Sequence, residues 1–166
     1  MPHTSATQWH RLLQAGGSIA LYAAVSCTQL PSPTASVTVP PVPAREARVW
    51  FYRDEGPYGN NSMPYLLING ASVETLQPRG AIYRDLPPGH YHIAVQNTVG
   101  DVNGMRDIDL APGQQLYFKI VSDENYVGGE NFYGATVSSR STYNLWLMPP
   151  AWAQAEVARS PFFGGS

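Results

Sequence analysis

From Arg45 onward the chain sets short apolar and β-branched runs between turn-forming clusters spaced about eight to twelve residues apart, the pattern of a sandwich or barrel. Ala47–Arg53 (ARVWFYR) is the first such run. Alternation along a strand places Val49 and Phe51 on one face and Trp50 and Tyr52 on the other. Asp54–Ser62 is a loop. Tyr65–Ile68 runs into Asn69-Gly70, a dipeptide suited to the positive φ angles of a tight hairpin turn, and Val73–Leu76 is the return strand. Pro78-Arg79-Gly80 turns the chain into Ala81–Arg84.

Asp85-Leu-Pro-Pro-Gly89 then leads into His90–Val95, with Tyr91, Ile93 and Val95 on one face and His90, His92 and Ala94 on the other. Asp109-Leu-Ala-Pro-Gly113 echoes that step, with proline and glycine where a type II turn wants them, so shared turn chemistry explains the echo better than a repeat does. Met105–Leu110 and Leu116–Val121 read as another hairpin, 122–131 (SDENYVGGEN) as a polar loop, and Tyr133–Val137 and Tyr143–Met148 as the last strands. Pro149-Pro150 stops the sheet. Ala151–Arg159 has helix propensity, with Trp152 and Val157 to dock it, and the tail SPFFGGS is expected to fray. The predicted fold is all-β: a mostly antiparallel β-sandwich of about seven strands with a short C-terminal helix.

The first 44 residues follow a different pattern. Residues 1–26 hold no acid and a single arginine, Arg11, and Ala15–Ser26 carries no charge. That apolar run is too short to span ~30 Å of hydrocarbon as a helix and matches the apolar region of a signal peptide. The only cysteine, Cys27, follows directly. Ala24-Val25-Ser26 resembles a bacterial lipobox, although Ala24 stands where a larger aliphatic is usual. The same tripeptide also suits an ordinary export cleavage, and a retained leader with an incidental cysteine is a third reading. Residues 28–44 carry five prolines (31, 33, 40, 41 and 43) and no charge, the composition of a semi-rigid spacer. The expected organisation is a signal peptide at 1–26, a Pro-rich tether at 27–44, a β-sandwich domain at 45–150, and a short helix and tail at 151–166.

Charge and composition narrow the partners. Ten basic against twelve acidic side chains give −2, and removing Arg11 with the leader makes it −3. No basic patch is visible, so nucleic acid is not an expected partner, and an acidic surface has no attraction for anionic lipid. Membrane association therefore comes from acylation of Cys27 alone, by diacylglyceryl and amide-linked palmitate-type chains. A lone cysteine allows no intrachain disulfide. A hydrophobic fraction of 43% supplies a core without one.

Candidate chemistry is sparse. His90 and His92, two apart on a strand, can point to one side and are the candidates for a metal, with Asp85 the nearest further ligand; a solvent-facing strand edge explains the pair better. Asp101-Val-Asn103-Gly104 starts like a calcium loop, but Met105 and Pro112 occupy later ligand positions. Gly-x-Ser-x-Gly is absent and the acids fall at unrelated spacings, so the chain is not expected to be an enzyme or to carry a cofactor. Trp50, Tyr52, Tyr58, Tyr126, Phe132 and Tyr133 could form an aromatic platform, or line the core. The segment 126–133 (YVGGENFY), with Tyr126, Phe132 and Tyr133, has the composition of an exposed recognition loop. Arg53 closes the first strand and joins these as a binding candidate.

With these residues placed, the chain resembles a family of small bacterial envelope lipoproteins known only as a domain of unknown function. The family pattern is a first strand ending in Arg, a short hairpin, a strand entered through P-P-G-x-[HY], and a later P-G before an aromatic strand. Val49–Arg53, Leu67–Gly70, Leu86–Tyr91, and Pro112-Gly113 with Tyr117-Phe118 match it, across roughly residues 46–157. Prealbumin-like β domains share the P-P-G-x-Y step. The chain departs from the pattern in its long loops at 54–63 and 122–132. The resemblance implies an envelope lipoprotein with a β-sandwich and no established activity. The expected function is a non-catalytic, lipid-anchored envelope module that contacts a larger protein assembly. The alternative is a periplasmic receptor for a small ligand or glycan. Thr28, standing where some bacteria place an inner-membrane retention Asp, slightly favours the outer membrane.

Overall fold

The computed structural model describes residues 30–54, 62–96, 104–131 and 134–166, without the side chains of 124–141. Two sheets face each other. Strands β1 (Ala47–Arg53), β4 (Ala81–Leu86), β7 (Gln115–Asn131), β8 (Gly134–Leu147) and β9 (Phe162–Gly165) form one, in the order β8-β7-β1-β4-β9. Strands β2 (Tyr65–Ile68), β3 (Ala71–Thr75), β5 (Gly89–Val95) and β6 (Met105–Leu110) form the other, in the order β3-β2-β5-β6. The helix α1 spans Pro150–Arg159. The fold is therefore an all-β sandwich with a short C-terminal helix, with nine strands among the described residues where about seven were expected. Pairing is mainly antiparallel, but β1 runs parallel to β7 and β4 parallel to β9.

The alternation read from β1 is realised on both faces. Val49 and Phe51 join Leu66, Ile93, Phe118, Ile120 and Leu145 in the core between the sheets. Trp50 and Tyr52 join Ala81, Tyr83, Tyr117, Ala153 and Val157 in a second cluster on the outer face. All seven residues of β1 are buried because α1 and the chain before β1 cover that outer face. Each fully buried large apolar side chain contributes roughly 1.5–3 kcal/mol, so this central strand anchors both layers.

Turn chemistry does what its residues require. Asn69 (φ 51) and Gly70 (φ 80) make the β2–β3 turn, and Gly113 (φ 72) follows Pro112 as a type II turn demands. The two D-L-x-P-G steps turn out to be the crossings between sheets: Asp85–Gly89 carries the chain from β4 to β5, and Asp109–Gly113 carries it back from β6 to β7. Hence β6 and β7 do not form the expected hairpin. The Gly113 turn is held by its N–H to the Glu46 carbonyl (2.7 Å), which steers β7 alongside β1.

Three further expectations are corrected. The polar stretch 122–131 is strand, paired residue for residue with β8 down to Asn131↔Gly134, and β8 is one strand where two were expected. Backbone pairing with a partner overrides the weak alternation of Ser, Asn and Gly residues. The tail does not fray: Phe162 pairs with Ala81 and stacks on Tyr83 (centroids 6.0 Å, 16°), and the Asp85 N–H donates to the Ser166 carbonyl at 2.7 Å. Of the two helix-docking residues, Val157 is buried with Ala153, whereas Trp152 is 68% exposed.

The Pro-rich segment also departs from the spacer expected of it. Thr34 is buried, with its N–H and Oγ1 both donating to the Ser160 carbonyl (2.8 and 2.9 Å), and the Phe162 N–H donates to the Ser32 carbonyl (2.9 Å). Arg48, 3% exposed, donates to the Pro40 carbonyl at 2.7 Å while its other nitrogens grip both oxygens of Asp85 at 2.7 Å. From Ser32 onward the chain is strapped to the domain. Among the described residues no helix is long and apolar enough to cross a membrane.

Candidate functional site

Where the C-terminal end of β1 meets the last turn of α1, the surface opens into a cleft of about 320 Å³ lined by Tyr52, Arg53, Asp54, Arg79, Lys119, Glu156, Arg159, Ser160 and Pro161. Each wall has a local cause. Parity along β1 turns Tyr52 to the outer face, and the strand end delivers Arg53 and Asp54. The turn before β4 brings Arg79, in left-handed conformation (φ 61). The parallel register Tyr52↔Lys119 places the lysine beside the tyrosine, and α1 sets Glu156 above them.

Lys119 lies between two acids, 3.2 Å from Glu156 Oε2 and 3.9 Å from Asp54 Oδ2. Burial alone would raise the Glu156 carboxyl, but Tyr52, Lys119 and Arg159 together hold it below its ordinary value. Tyr52 is 2% exposed. Burial, then the neighbouring Glu156 and Asp54 carboxylates, push its pKa up, so the phenol is a neutral O–H donor. Its oxygen stands close enough for Glu156 to act on it without closing a well-formed hydrogen bond.

Arg53 serves the frame of this cleft. Its guanidinium donates to the backbone carbonyls of Ser62 and Leu76 and lies 5.1 Å from the centre of the Tyr143 ring, tying three parts of the sandwich together. Burial lowers its pKa, while the neighbouring Tyr143 and Asp54 act to raise it. A second cleft, about 410 Å³, lies between the 39–42 strap, Trp50, Tyr117 and α1; its only cation, Arg48, is already bound to Asp85 and Pro40.

The other predicted residues fall elsewhere. His90 and His92 lie on the exposed face of β5 and meet acids across the ladder: His90 Nδ1 is 2.9 Å from Asp109 and His92 Nδ1 is 2.8 Å from Asp107. Asp85, the suggested third ligand, belongs to Arg48 on the other sheet. Among the described residues no group of three or more His, Cys, Asp or Glu is placed to hold a metal. Trp50 and Tyr52 are core, not platform. Tyr126 sits in β7 opposite Ser139, and its side chain lies outside the described residues, as do Cys27, Tyr58, Phe132, Tyr133 and the 101–103 calcium-like segment.

Sequence reasoning missed the cleft. Its members come from four separate stretches of chain with no motif spacing. The one available signal was that Lys119, the chain's sole lysine, stands in the middle of a strand. Comparison with protein-family models, with curated proteins and with solved structures found no match to this chain.

Proposed function

We propose that this chain is a non-catalytic module of the bacterial cell envelope, anchored through acylated Cys27 and engaging a larger protein assembly with its β7–β8 hairpin. The observation that carries this reading is the length of the hairpin. β1 pairs with β7 only as far as Ile120, whereas β7 and β8 stay paired to Asn131↔Gly134. The ribbon therefore continues past the end of β1 for about eleven residues, roughly 35 Å at strand rise.

Over that length, among the described residues, no strand lies on the β1 side of β7, and β8 is the edge of its sheet. Unpaired strand edges are templates for another chain, by strand addition or by side contact. At the base of the ribbon Trp146 and Leu147 are 51% and 53% exposed. Exposed tryptophan is among the side chains most enriched as anchors of protein interfaces. Tyr126, one of the residues named as recognition candidates, belongs to β7 opposite Ser139.

Cross-linking in native membranes, followed by purification, tests the proposal. A single partner at fixed stoichiometry is expected, lost when residues 124–141 are replaced by a two-residue turn and weakened at least about tenfold by Trp146→Ala. Both variants should keep the parent circular dichroism, since the core residues Tyr143 and Leu145 are retained. Unchanged capture by the shortened protein would overturn the role of the hairpin.

A further inference from the structure

We propose that His90 and His92, on the outer face of the four-stranded sheet, bind a divalent late first-row transition metal, copper(II) most tightly, through Nε2 of both imidazoles, with water in the remaining positions. The inference stands apart from the membrane anchor and the hairpin.

The first observation is the state of the two rings. His90 Nδ1 faces Asp109 Oδ1 at 2.9 Å, and His92 Nδ1 faces Asp107 Oδ1 at 2.8 Å. An ionised carboxylate only accepts, so each neutral ring carries its proton on Nδ1 and its lone pair on Nε2. A carboxylate behind the ring in this way fixes the tautomer and raises the basicity of the other nitrogen, as it does behind metal-binding histidines. Nε2 of His90 is 4.0 Å from Asp107, beyond hydrogen-bond reach, and among the described residues no hydrogen bond closes on either Nε2. Both donor atoms are therefore available.

The second observation is where the rings stand. Residues two apart on a strand project from one face, roughly 6.7 Å apart along the chain, a span that two imidazoles can close onto a single ion. Asp107 Oδ1 accepts from His92 and lies 4.0 Å from His90, so the rings flank one carboxylate oxygen. The strand beneath them is not an edge, since β5 runs between β2 and β6. Asn69 fixes it on the β2 side: the His92 N–H donates to Asn69 Oδ1 and the Asn69 N–H to the His92 carbonyl, both at 2.8 Å. A rigid strand thus presents two rings that are 66% and 44% exposed to an ion arriving from solvent.

Charge and donor type select the ion. With neutral imidazoles the patch carries the negative charges of Asp107 and Asp109, which favour a dication. Arg106, the base on β6, pairs with the core residue Ile93 and so falls on the opposite face by alternation, with its guanidinium donating to the Met105 carbonyl at 2.9 Å. Calcium and magnesium require shells of oxygen, whereas imidazole suits copper, nickel and zinc, with copper(II) tightest in the divalent series. A structural zinc site takes four protein ligands, and among the described residues no group of three or more His, Cys, Asp or Glu is placed to supply them. Two nitrogens and water therefore rank zinc below copper.

The test is metal titration of the purified full chain carrying Cys27→Ser, His3→Ala and His10→Ala, which leaves no thiol and makes His90 and His92 the only histidines. At slightly alkaline pH one copper(II) per chain is expected, saturating at submillimolar concentration with nitrogen coordination in the electron paramagnetic resonance spectrum. Nickel(II) and zinc(II) should bind more weakly and magnesium(II) not at all. Adding His90→Ala or His92→Ala should each weaken copper binding at least about tenfold, since a single imidazole loses the chelate. Asp107→Asn with Asp109→Asn should weaken it about tenfold while both imidazoles remain. All four positions are exposed, so the metal-free melting temperature should hold in every variant. No saturation by submillimolar copper(II), unchanged affinity in either histidine variant, or magnesium(II) bound as tightly as copper(II) would each overturn the proposal. One copper(II) per two chains, with dimerisation, would overturn the single-chain site.

Discussion

At the residue scale, the first strand shows two ways of burying a guanidinium. Arg48 is matched by Asp85 through a two-pronged contact and by the Tyr83 ring 3.9 Å away, and the hydrogen-bonded carboxylate raises its pKa against the effect of burial. Arg53 is satisfied by backbone carbonyls instead, and burial lowers its pKa. A cation left without its acid in the interior costs about 3–5 kcal/mol, which is why Asp85 is engaged structurally rather than available to His90 and His92. The exposed histidines behave differently. His90 is raised above its ordinary 6.5 by the hydrogen bond to Asp109 and by the charges of Asp109 and Asp107. A raised folded value means the pair's contribution is fully present below pH 6.5 and fades as the pH rises through the folded value. An NMR titration is expected to place His90 above the ordinary 6.5, and Asp109→Asn should return it to the ordinary range; no change in that variant would remove Asp109 as the cause. The histidine face was legible from strand parity alone, but their acids were not. Cross-strand partners depend on which strand lies alongside, and sequence parity does not encode that.

At the element scale, the last strand is where sequence and structure differ most. SPFFGGS carries the composition of a loose end: small residues, a proline and two glycines. Its order comes from outside itself. The free edge of β4 supplies backbone partners, and the rings of Trp50 and Tyr83 supply a surface for Phe162 at 6.4 and 6.0 Å. The glycines permit the approach. A Cβ at Gly165 would overlap the Tyr83 ring, and one at Gly80 would lie 2.6 Å from Phe163. Deleting residues 162–166 should therefore cost about 2–4 kcal/mol, the loss of two half-buried aromatics, and lower the melting temperature by roughly 5–10 °C in thermal unfolding. An unchanged melting curve would mean that the tail adds nothing to the fold. The same contrast holds elsewhere. The β2–β3 hairpin was readable because Asn69-Gly70 contains its own turn chemistry. The hairpin expected between β6 and β7 failed because a Pro-Gly turn specifies a reversal and not the sheet to which the chain returns.

At the scale of the whole molecule, the docking of the Pro-rich segment changes what an anchor at Cys27 means. A free tether from 27 to 44 would let the sandwich roam well away from a bilayer. The strap instead joins the domain at Ser32 and Thr34, beside Ser160 and Phe162, leaving four residues between the cysteine and the first docked position. At full extension those residues reach roughly 17 Å. An acylated Cys27 would then hold the strap and α1 side of the sandwich close to the headgroups and restrict the directions in which the hairpin can point. Under the proposed anchor, Cys27→Ser is expected to move the protein from the membrane pellet to the soluble fraction without altering its melting temperature, since a lipid and not the fold would then retain it. Mass spectrometry of the native protein should find an acylated Cys27 as the first residue. Intact residues 1–26 with an unmodified thiol would dismiss the anchor. Lengthening the chain by about twenty Gly/Ser residues between Thr28 and Leu30 offers a sharper check of the short reach. Membrane retention should persist, while cross-linking to a partner embedded at a fixed height should fall if proximity to the bilayer governs the encounter. Equal cross-linking in the lengthened protein would show that the hairpin finds its partner wherever the domain floats, leaving acylation to confine the protein to the membrane without setting its height.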